Sequence, residues 1–176
     1  MTPPLTVVPL EDEHIAGFRD AVDRVAREQR YLAMLEAPPL EDCRAYVLDM
    51  RRRGFPQYAA LCDGRLVGWC DISPIERAVH AHCGTLGIGV IDGYRGRGAG
   101  SRLLEIALRR AREIGLTRIE LAVREHNAPA IALYERFGFV SEGVRRNAVR
   151  IGGDYENVIA MALLFQVENG FPRTRE

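Results

Sequence analysis

Apolar residues recur at helical spacing in some stretches of this chain and alternate with polar ones in others, and the switches between the two periods lay out its elements. Residues 6–9 read as a short strand. Beyond the acidic stretch Glu11-Asp12-Glu13, the apolar positions Ile15, Phe18, Val22 and Val25 fall on one helical face. A second helix is predicted over about 40–53. It begins after Pro38-Pro39, carries Glu41 and Asp42 in its first turn, closes in Arg51-Arg52-Arg53 and stops at Gly54, so both ends suit the helix dipole. Gln57 to Cys62 and Arg65 to Ile72 are β-rich and flank Asp63-Gly64, a pair that favours a two-residue hairpin turn.

A strand over Thr85 to Ile91 then runs into Gly93-Tyr94-Arg95-Gly96-Arg97-Gly98-Ala99-Gly100. The helix opened by this loop places Leu103, Leu104, Ala107, Leu108 and Ala111 on one face and ends at Gly115. Thr117 to Arg124 alternates again, with Ile119, Leu121 and Val123 on one side. A short helix over about 128–137 closes at Gly138, and two last strands, about 145–151 and 155–164, join at Gly152-Gly153-Asp154. The order β-α-α-β-β-β-α-β-α-β-β has no repeat and no linker. It predicts a single α/β (α+β) domain over 1–176, with a peripheral tail from about 166.

With 176 residues, 47% of them hydrophobic, the chain can bury a sizeable core. Its 24 basic residues, all arginine, balance 24 acids, which gives no reason to expect a nucleic-acid or membrane partner. Cys43, Cys62, Cys70 and Cys83 form no C-x-x-C pair and read as buried thiols rather than a disulfide framework. His80, His82 and Cys83 crowd too closely to share one ion, so no metal is expected. The first residues hold no basic stretch followed by an apolar one, and the longest apolar run, Val158 to Phe165, is too short to span a bilayer. A cytoplasmic location is expected.

The glycine-arginine loop carries the chemistry. A strand feeding a glycine-rich turn at a helix start lets successive backbone N–H groups approach an anion. Gly96, Gly98 and Gly100 give that access, and Arg95, Arg97 and Arg102 are placed to add charge-assisted hydrogen bonds, so a diphosphate is the expected guest. A P-loop would need a lysine, and this chain has none. The dinucleotide fingerprint fits less well, because Ser101 stands where its third glycine belongs and Glu120 sits mid-strand.

These residues resemble the GCN5-related N-acetyltransferase superfamily, whose cofactor loop reads Arg/Gln-x-x-Gly-x-Gly/Ala. Arg95 to Gly100 fits each fixed position, Leu86 to Val90 looks like the strand before the loop, and Asn127 to Phe139 looks like the family's downstream segment. The similarity covers roughly residues 56–164. It implies a mixed, mostly antiparallel sheet of about seven strands, splayed between the fourth and fifth and flanked by about four helices. It also implies that acetyl-CoA is the co-substrate and that a primary amine is acetylated. The backbone of Ile88, Gly89 and Val90 would pair with the pantetheine arm as an added strand, and the loop Arg95, Gly96, Arg97, Gly98, Ala99, Gly100 and Ser101 would take the pyrophosphate. Val90 N–H would face the thioester oxygen, Asn127 would bind near the pantetheine, and Tyr134 would stand near the sulfur as general acid.

The general base is not assigned by this resemblance. The strand before the loop has no carboxylate, and Ala122 occupies the other position where relatives place a glutamate. Glu120, Asp71 and His82 are the candidates, and a water chain to bulk solvent would also serve, since the amine only has to arrive deprotonated. Trp69 and Tyr31 are candidates for shaping an acceptor pocket. The downstream pattern looks most like members that act on amino acids, polyamines or related small amines. Acetylation of protein N-termini or ribosomal proteins is the alternative, as is an acyl-CoA-binding regulatory module without catalysis. A homodimer is compatible with all three. Residues 95–112 hold six arginines against Glu105, whereas residues 1–50 hold five arginines against ten acids, so a basic cofactor side and an acidic side favouring a cationic amine are expected.

Overall fold

Periodicity places the elements closely. The computed structural model describes residues 4–166, so the expectation for the tail lies almost wholly outside the described residues. The strands are β1 (Leu5–Pro9), β2 (Gln57–Cys62), β3 (Arg65–Pro74), β4 (Cys83–Val90), β5 (Arg118–Arg124), β6 (Val140–Ile151) and β7 (Asp154–Leu164). The helices are α1 (Ile15–Arg27), α2 (Leu40–Arg52), α3 (Ala99–Glu113) and α4 (Ala128–Arg136). Asp63 and Gly64 both take positive φ, +50° and +73°, as a two-residue hairpin turn between β2 and β3 requires.

The strands form one sheet in the order β1-β2-β3-β4-β5-β7-β6, antiparallel except for the β4–β5 pair. β3 lies near its centre and is buried from Leu66 through Ile72, which is why its sequence reads as a continuous apolar run interrupted by one acid. α1 and α2 cover one face: Phe18 meets Trp69 edge-on with ring centroids 6.0 Å apart, and Tyr46 reaches Asp71. α3 covers the other face, burying Leu103, Leu104, Ala107 and Ala111 completely. Each of those leucines contributes about 2–3 kcal/mol of apolar burial. All four cysteines are buried thiols.

One prediction is corrected. β6 begins at Val140, not near 145, and runs twelve residues. Register shifts between Ser141 and Gly143 and between Arg145 and Val149 break its alternation, and nearly its whole length is exposed, so no apolar stripe announces it. β6 is the outer edge of the sheet, and Arg145, Arg146 and Arg150 lie along it, the kind of charge that discourages further strand pairing.

What positions the site is the short union of β4 and β5. They pair only at Cys83, Gly84 and Thr85 with Arg118, Ile119 and Glu120, and then part. Among the described residues, the rest of β4 pairs with a strand on its β3 side alone.

Candidate active site

The ladder between β3 and β4 fixes which backbone groups face the opening. Ile91 N–H donates to the Val67 carbonyl at 2.9 Å, so the pair Gly68 and Val90 is of the non-hydrogen-bonded kind, and so are Cys70 with Ile88 and Ile72 with Leu86. The N–H and C=O groups of Leu86, Ile88 and Val90 therefore point away from β3, into the gap where β5 has diverged. A cleft of about 700 Å³ occupies that gap, bordered by Ile88, Gly89 and Val90 on one side and by Asn127, Ala130 and Tyr134 on the other. The glycines of β4 keep its α1 face low: a Cβ at Gly89 would collide with the Trp69 ring, and one at Gly87 would lie 2.9 Å from Asp71 Oδ1.

At its far end the cleft meets the glycine-rich loop. Gly93, Gly96 and Gly98 adopt φ of +82°, +72° and +83°, with open space where a side chain would begin. Gly98 is the N-cap of α3, no side chain caps that end, and the first helical bond runs from Arg102 N–H to the Gly98 carbonyl. The preceding N–H groups of Ala99, Gly100 and Ser101 are those that a helix start leaves without an internal partner, and the loop around them lines the cleft.

Two of the three arginines expected to add charge there are committed elsewhere. Arg95 Nε donates to the Val90 carbonyl at 2.8 Å while its terminal nitrogens grip the Glu28 carboxylate at 2.8 and 2.5 Å, and its guanidinium stacks 4.6 Å from the Tyr31 ring centroid. Arg102 donates to the Leu5 carbonyl at 2.8 Å, tying α3 to β1. Arg97 rests over Tyr94 and stays exposed. A cation that sequence reasoning missed takes part: Arg136, from the last turn of α4, borders the cleft and donates to Ser101 Oγ at 2.7 Å.

α4 brings Asn127 and Tyr134 to the opposite wall. Asn127 is the N-cap, its Oδ1 accepting from Ala130 N–H at 3.4 Å. Tyr134 is the buried residue of α4, its ring 5.8 Å from that of Phe139. Packed aromatic and cleft-lining residue thus describe the same side chain. Burial pushes its phenol well above the ordinary value, so it is protonated at neutral pH.

The three candidate bases separate clearly. Glu120 lies where β4 and β5 are still joined, its carboxylate 3.2 Å from Arg118 Nε. His82 is exposed just before β4, at the strand's closed end, with its carbonyl accepting from Thr117 and Arg118 N–H. That is roughly 25 Å of strand from the opening beside Val90. Asp71 alone lies over the body of β4. It is buried, opposite Gly87, and Tyr46 Oη donates to its Oδ1 at 3.0 Å. Burial drives its carboxyl up to about 7, partly offset by the Tyr46 hydrogen bond. Trp69 is a core residue, whereas Tyr31, in the connection between α1 and α2, lines the cleft.

That connection is fastened by a residue with no local signal to mark it. Arg124, at the end of β5 and 3% exposed, donates to the carbonyls of Gln29 and Leu32 at 3.3 and 2.8 Å and to Glu156 at 2.7 Å. The Glu156 carboxyl is held below its usual range by this arginine. His126 adds a contact to the Arg30 carbonyl at 3.1 Å. Arg124→Met would leave two carbonyls and a half-buried carboxylate without their donor; a loss of about 2–3 kcal/mol is expected in urea unfolding, with faster proteolysis at residues 28–36. Unchanged stability and cleavage would show that the connection is held by its other contacts.

A family model described as "Acetyltransferase (GNAT) family" matches residues 10–139. The chain is 30% identical over 138 residues to the L-amino acid N-acetyltransferase AaaT of Escherichia coli, covering 78% of this chain and 85% of that one. It is 42% identical over 96 residues to the N-alpha-acetyltransferase RimI of Mycobacterium tuberculosis, covering 51% of this chain and 55% of that one. A GNAT superfamily phosphinothricin acetyltransferase from Sinorhizobium meliloti, solved in complex with AcCoA, shares the fold with a TM-score of 0.84 at 17% identity, over 99% of this chain and 98% of that one. No helix among the described residues is long and apolar enough to cross a membrane. With a splayed seven-stranded sheet, a capless glycine turn at its mouth and these matches along most of its length, the chain belongs to the acetyltransferase (GNAT) family and is an N-acetyltransferase.

Proposed function

We propose that the chain uses acetyl-CoA to acetylate the primary amine of a small molecule of the amino-acid or polyamine class. The observation that carries this reading is the continuity of one surface. The unpaired backbone edge of β4 runs directly into the uncapped, glycine-lined start of α3, so an extended amide-bearing arm and a diphosphate find partners in a single stretch. The residues present therefore fit the group. Ile88 offers the arm its N–H and C=O groups, Val90 offers its N–H, and the loop through Ser101 offers its N–H groups to the diphosphate. Arg97 and Arg136 are the nearby cations. The bound group supplies a thioester whose carbonyl accepts the amine. Val90 N–H is the donor proposed for the oxygen on which charge develops, and Arg95 holds the carbonyl of the same residue.

Tyr134 lies across the cleft from this edge. Because burial holds its phenol above the range of a thiol, its favoured role is to donate a hydrogen bond to the departing sulfur while retaining its proton. Tyr134→Phe is expected to lower kcat about 10- to 100-fold while leaving the Kd for acetyl-CoA within threefold. An unchanged kcat would remove Tyr134 from the chemistry.

A small acceptor is favoured by the fastening of residues 28–32 beside the cleft. Arg95 and Arg124 hold this connection at Glu28, Gln29 and Leu32, which restricts the approach for an extended peptide. The test is release of free thiol from acetyl-CoA with a panel of amino acids, polyamines and peptides bearing free N-termini. Turnover with small amines at a kcat/KM at least tenfold above the peptides is expected. Preference for peptides would favour the protein N-terminus as acceptor, and acetyl-CoA binding without turnover would favour a regulatory module.

A further inference from the structure

We propose that Asp71 is the proton acceptor that converts the bound ammonium into the attacking amine, with Tyr46 holding its carboxylate and Gln57 serving the proton's path. The assignment rests on the transferase reading above and names the base that reading lacks.

Three strands bring the group together. Gln57 of β2, Asp71 of β3 and Gly87 of β4 are successive cross-strand partners, so they form one row on the face covered by α1 and α2. Because Gly87 has no side chain, the Asp71 carboxylate extends over β4, the strand whose other edge opens to the cleft. Tyr46 of α2 fixes one carboxylate oxygen. Gln57 is 7% exposed, and neither its Nε2 nor its Oε1 has a hydrogen-bond partner among the described residues. A buried amide with both polar atoms uncommitted is unusual, and a donor and acceptor one strand from a carboxylate in the same row suit a relayed proton.

The groups facing Asp71 leave it free for this task. Tyr46 comes from α2, Ser73 from β3 itself, neutral Gln57 from β2, and only glycine from β4, while the neighbouring Cys70 thiol points to the opposite face of the sheet. The influences on its carboxyl are burial and the Tyr46 hydroxyl, with no arginine among them. Glu28, Glu120 and Glu156 are by contrast spent on Arg95, Arg118 and Arg124. An acid poised near neutrality is matched to taking a proton at physiological pH.

In the step, an N–H bond of the ammonium breaks and its proton passes to the Asp71 carboxylate, directly or through one bridging water. The freed lone pair forms the new C–N bond at the thioester carbon. The C–S bond breaks, the sulfur leaves as thiolate, and the second proton shed by nitrogen neutralises it by way of solvent. Asp71 returns its proton to solvent, so the sum is ammonium plus thioester giving amide, thiol and one proton.

The experiment is the pH dependence of kcat/KM with the best small amine of the panel. For the parent chain, activity should rise with pH and level off above about 7. Asp71→Asn should lose at least 100-fold at pH 7 with the Kd for acetyl-CoA unchanged. Its rate should then climb about tenfold per pH unit toward the amine's own pKa, because solvent must supply the free amine. Tyr46→Phe, which removes the donor that steadies the carboxylate, should move the parent's rising limb to higher pH without abolishing it. An Asp71→Asn variant that keeps the parent's limb and a rate within threefold overturns the assignment while leaving the transferase reading intact. A parent chain that binds acetyl-CoA and acetylates no amine overturns both.

Discussion

Asp71→Asn is expected to make the folded chain more stable at pH 8 and to leave its stability near pH 4 almost unchanged. In the unfolded chain this carboxyl titrates near its ordinary 3.8, whereas burial raises it to about 7 in the folded one. Between those two values the folded state binds the more protons, so its stability falls as pH rises through the window, and above 7 the whole cost is present. Three pH units of displacement correspond to roughly 4 kcal/mol, which is a ceiling. Asparagine keeps an oxygen for the Tyr46 hydroxyl, and its new N–H₂ group would share a row with Gln57, whose amide oxygen is uncommitted among the described residues. A gain of about 2–4 kcal/mol at pH 8 is therefore expected, read from urea unfolding of both proteins at pH 4 and pH 8. Parallel shifts at the two pH values would show that the carboxylate is not the source. Such a cost, with no ion pair to offset it among the described residues, agrees with the role proposed for Asp71 from the row it forms with Gln57 and Gly87.

The legible and illegible parts of this molecule divide by how far apart in the chain the interacting residues lie. Helices α1 and α3, the Asp63-Gly64 hairpin and the glycine turn are written in short-range signals, and they form within a residue or two of where those signals place them. Arg95 is the opposite case. Between glycines it reads as a ligand for phosphate, but its partner Glu28 lies 67 positions away, and only the fold shows the guanidinium to be a clamp between the α1–α2 connection and the β4 edge. Arg124 looked like one more polar residue of an alternating strand, since its partners at Gln29 and Leu32 come from 95 and 92 positions away. Asp71 left a partial trace as the lone acid in an apolar run, whereas Tyr46 and Gln57 left none, because Tyr46 reaches it only across the fold and Gln57 comes beside it only through strand register. β6 escaped because its bulges destroy the period on which a strand is recognised.

The same distinction revises the expected separation of charge. The acids of the first fifty residues do not stand as an open field toward the acceptor. Glu11 and Asp12 meet Arg51, Asp23 meets Arg27, Asp49 meets Arg52 and Arg53, and Glu28 meets Arg95 from the basic cofactor segment. Most of these pairs are exposed and contribute little each, but together they cancel the potential that a count along the chain suggests. Selectivity for the amine is thus expected from groups inside the cleft rather than from long-range attraction. A kcat/KM for a cationic amine that changes less than twofold between 50 and 300 mM salt would agree, and a steep fall would restore the field.

Gly98→Val is expected to abolish detectable acetyl-CoA binding, raising Kd at least 100-fold, while lowering the unfolding midpoint only modestly. The φ of +83° at this N-cap is a conformation that a β-branched residue adopts at a cost of about 1–2 kcal/mol, and nothing stands within 4 Å of where its Cβ would project, so the fold itself tolerates the change. The expected damage is to the approach of the ligand. Relief of strain would rotate the peptide units on which the N–H groups of Ala99 and Gly100 depend, and the valine methyls would occupy the cleft where the diphosphate is proposed to lie. Because Arg95 and Arg102 are committed to Glu28 and Leu5, the loop has few side-chain cations with which to compensate for displaced backbone donors. Gly98→Ala, with a smaller obstruction, should retain weak binding, and Arg97→Gln should weaken it by less than tenfold. Binding within threefold of the parent for the valine variant would show that the diphosphate is held elsewhere, and a large effect of Arg97→Gln combined with a small one of Gly98→Val would mean that side-chain charge, rather than the helix start, is what recognises it.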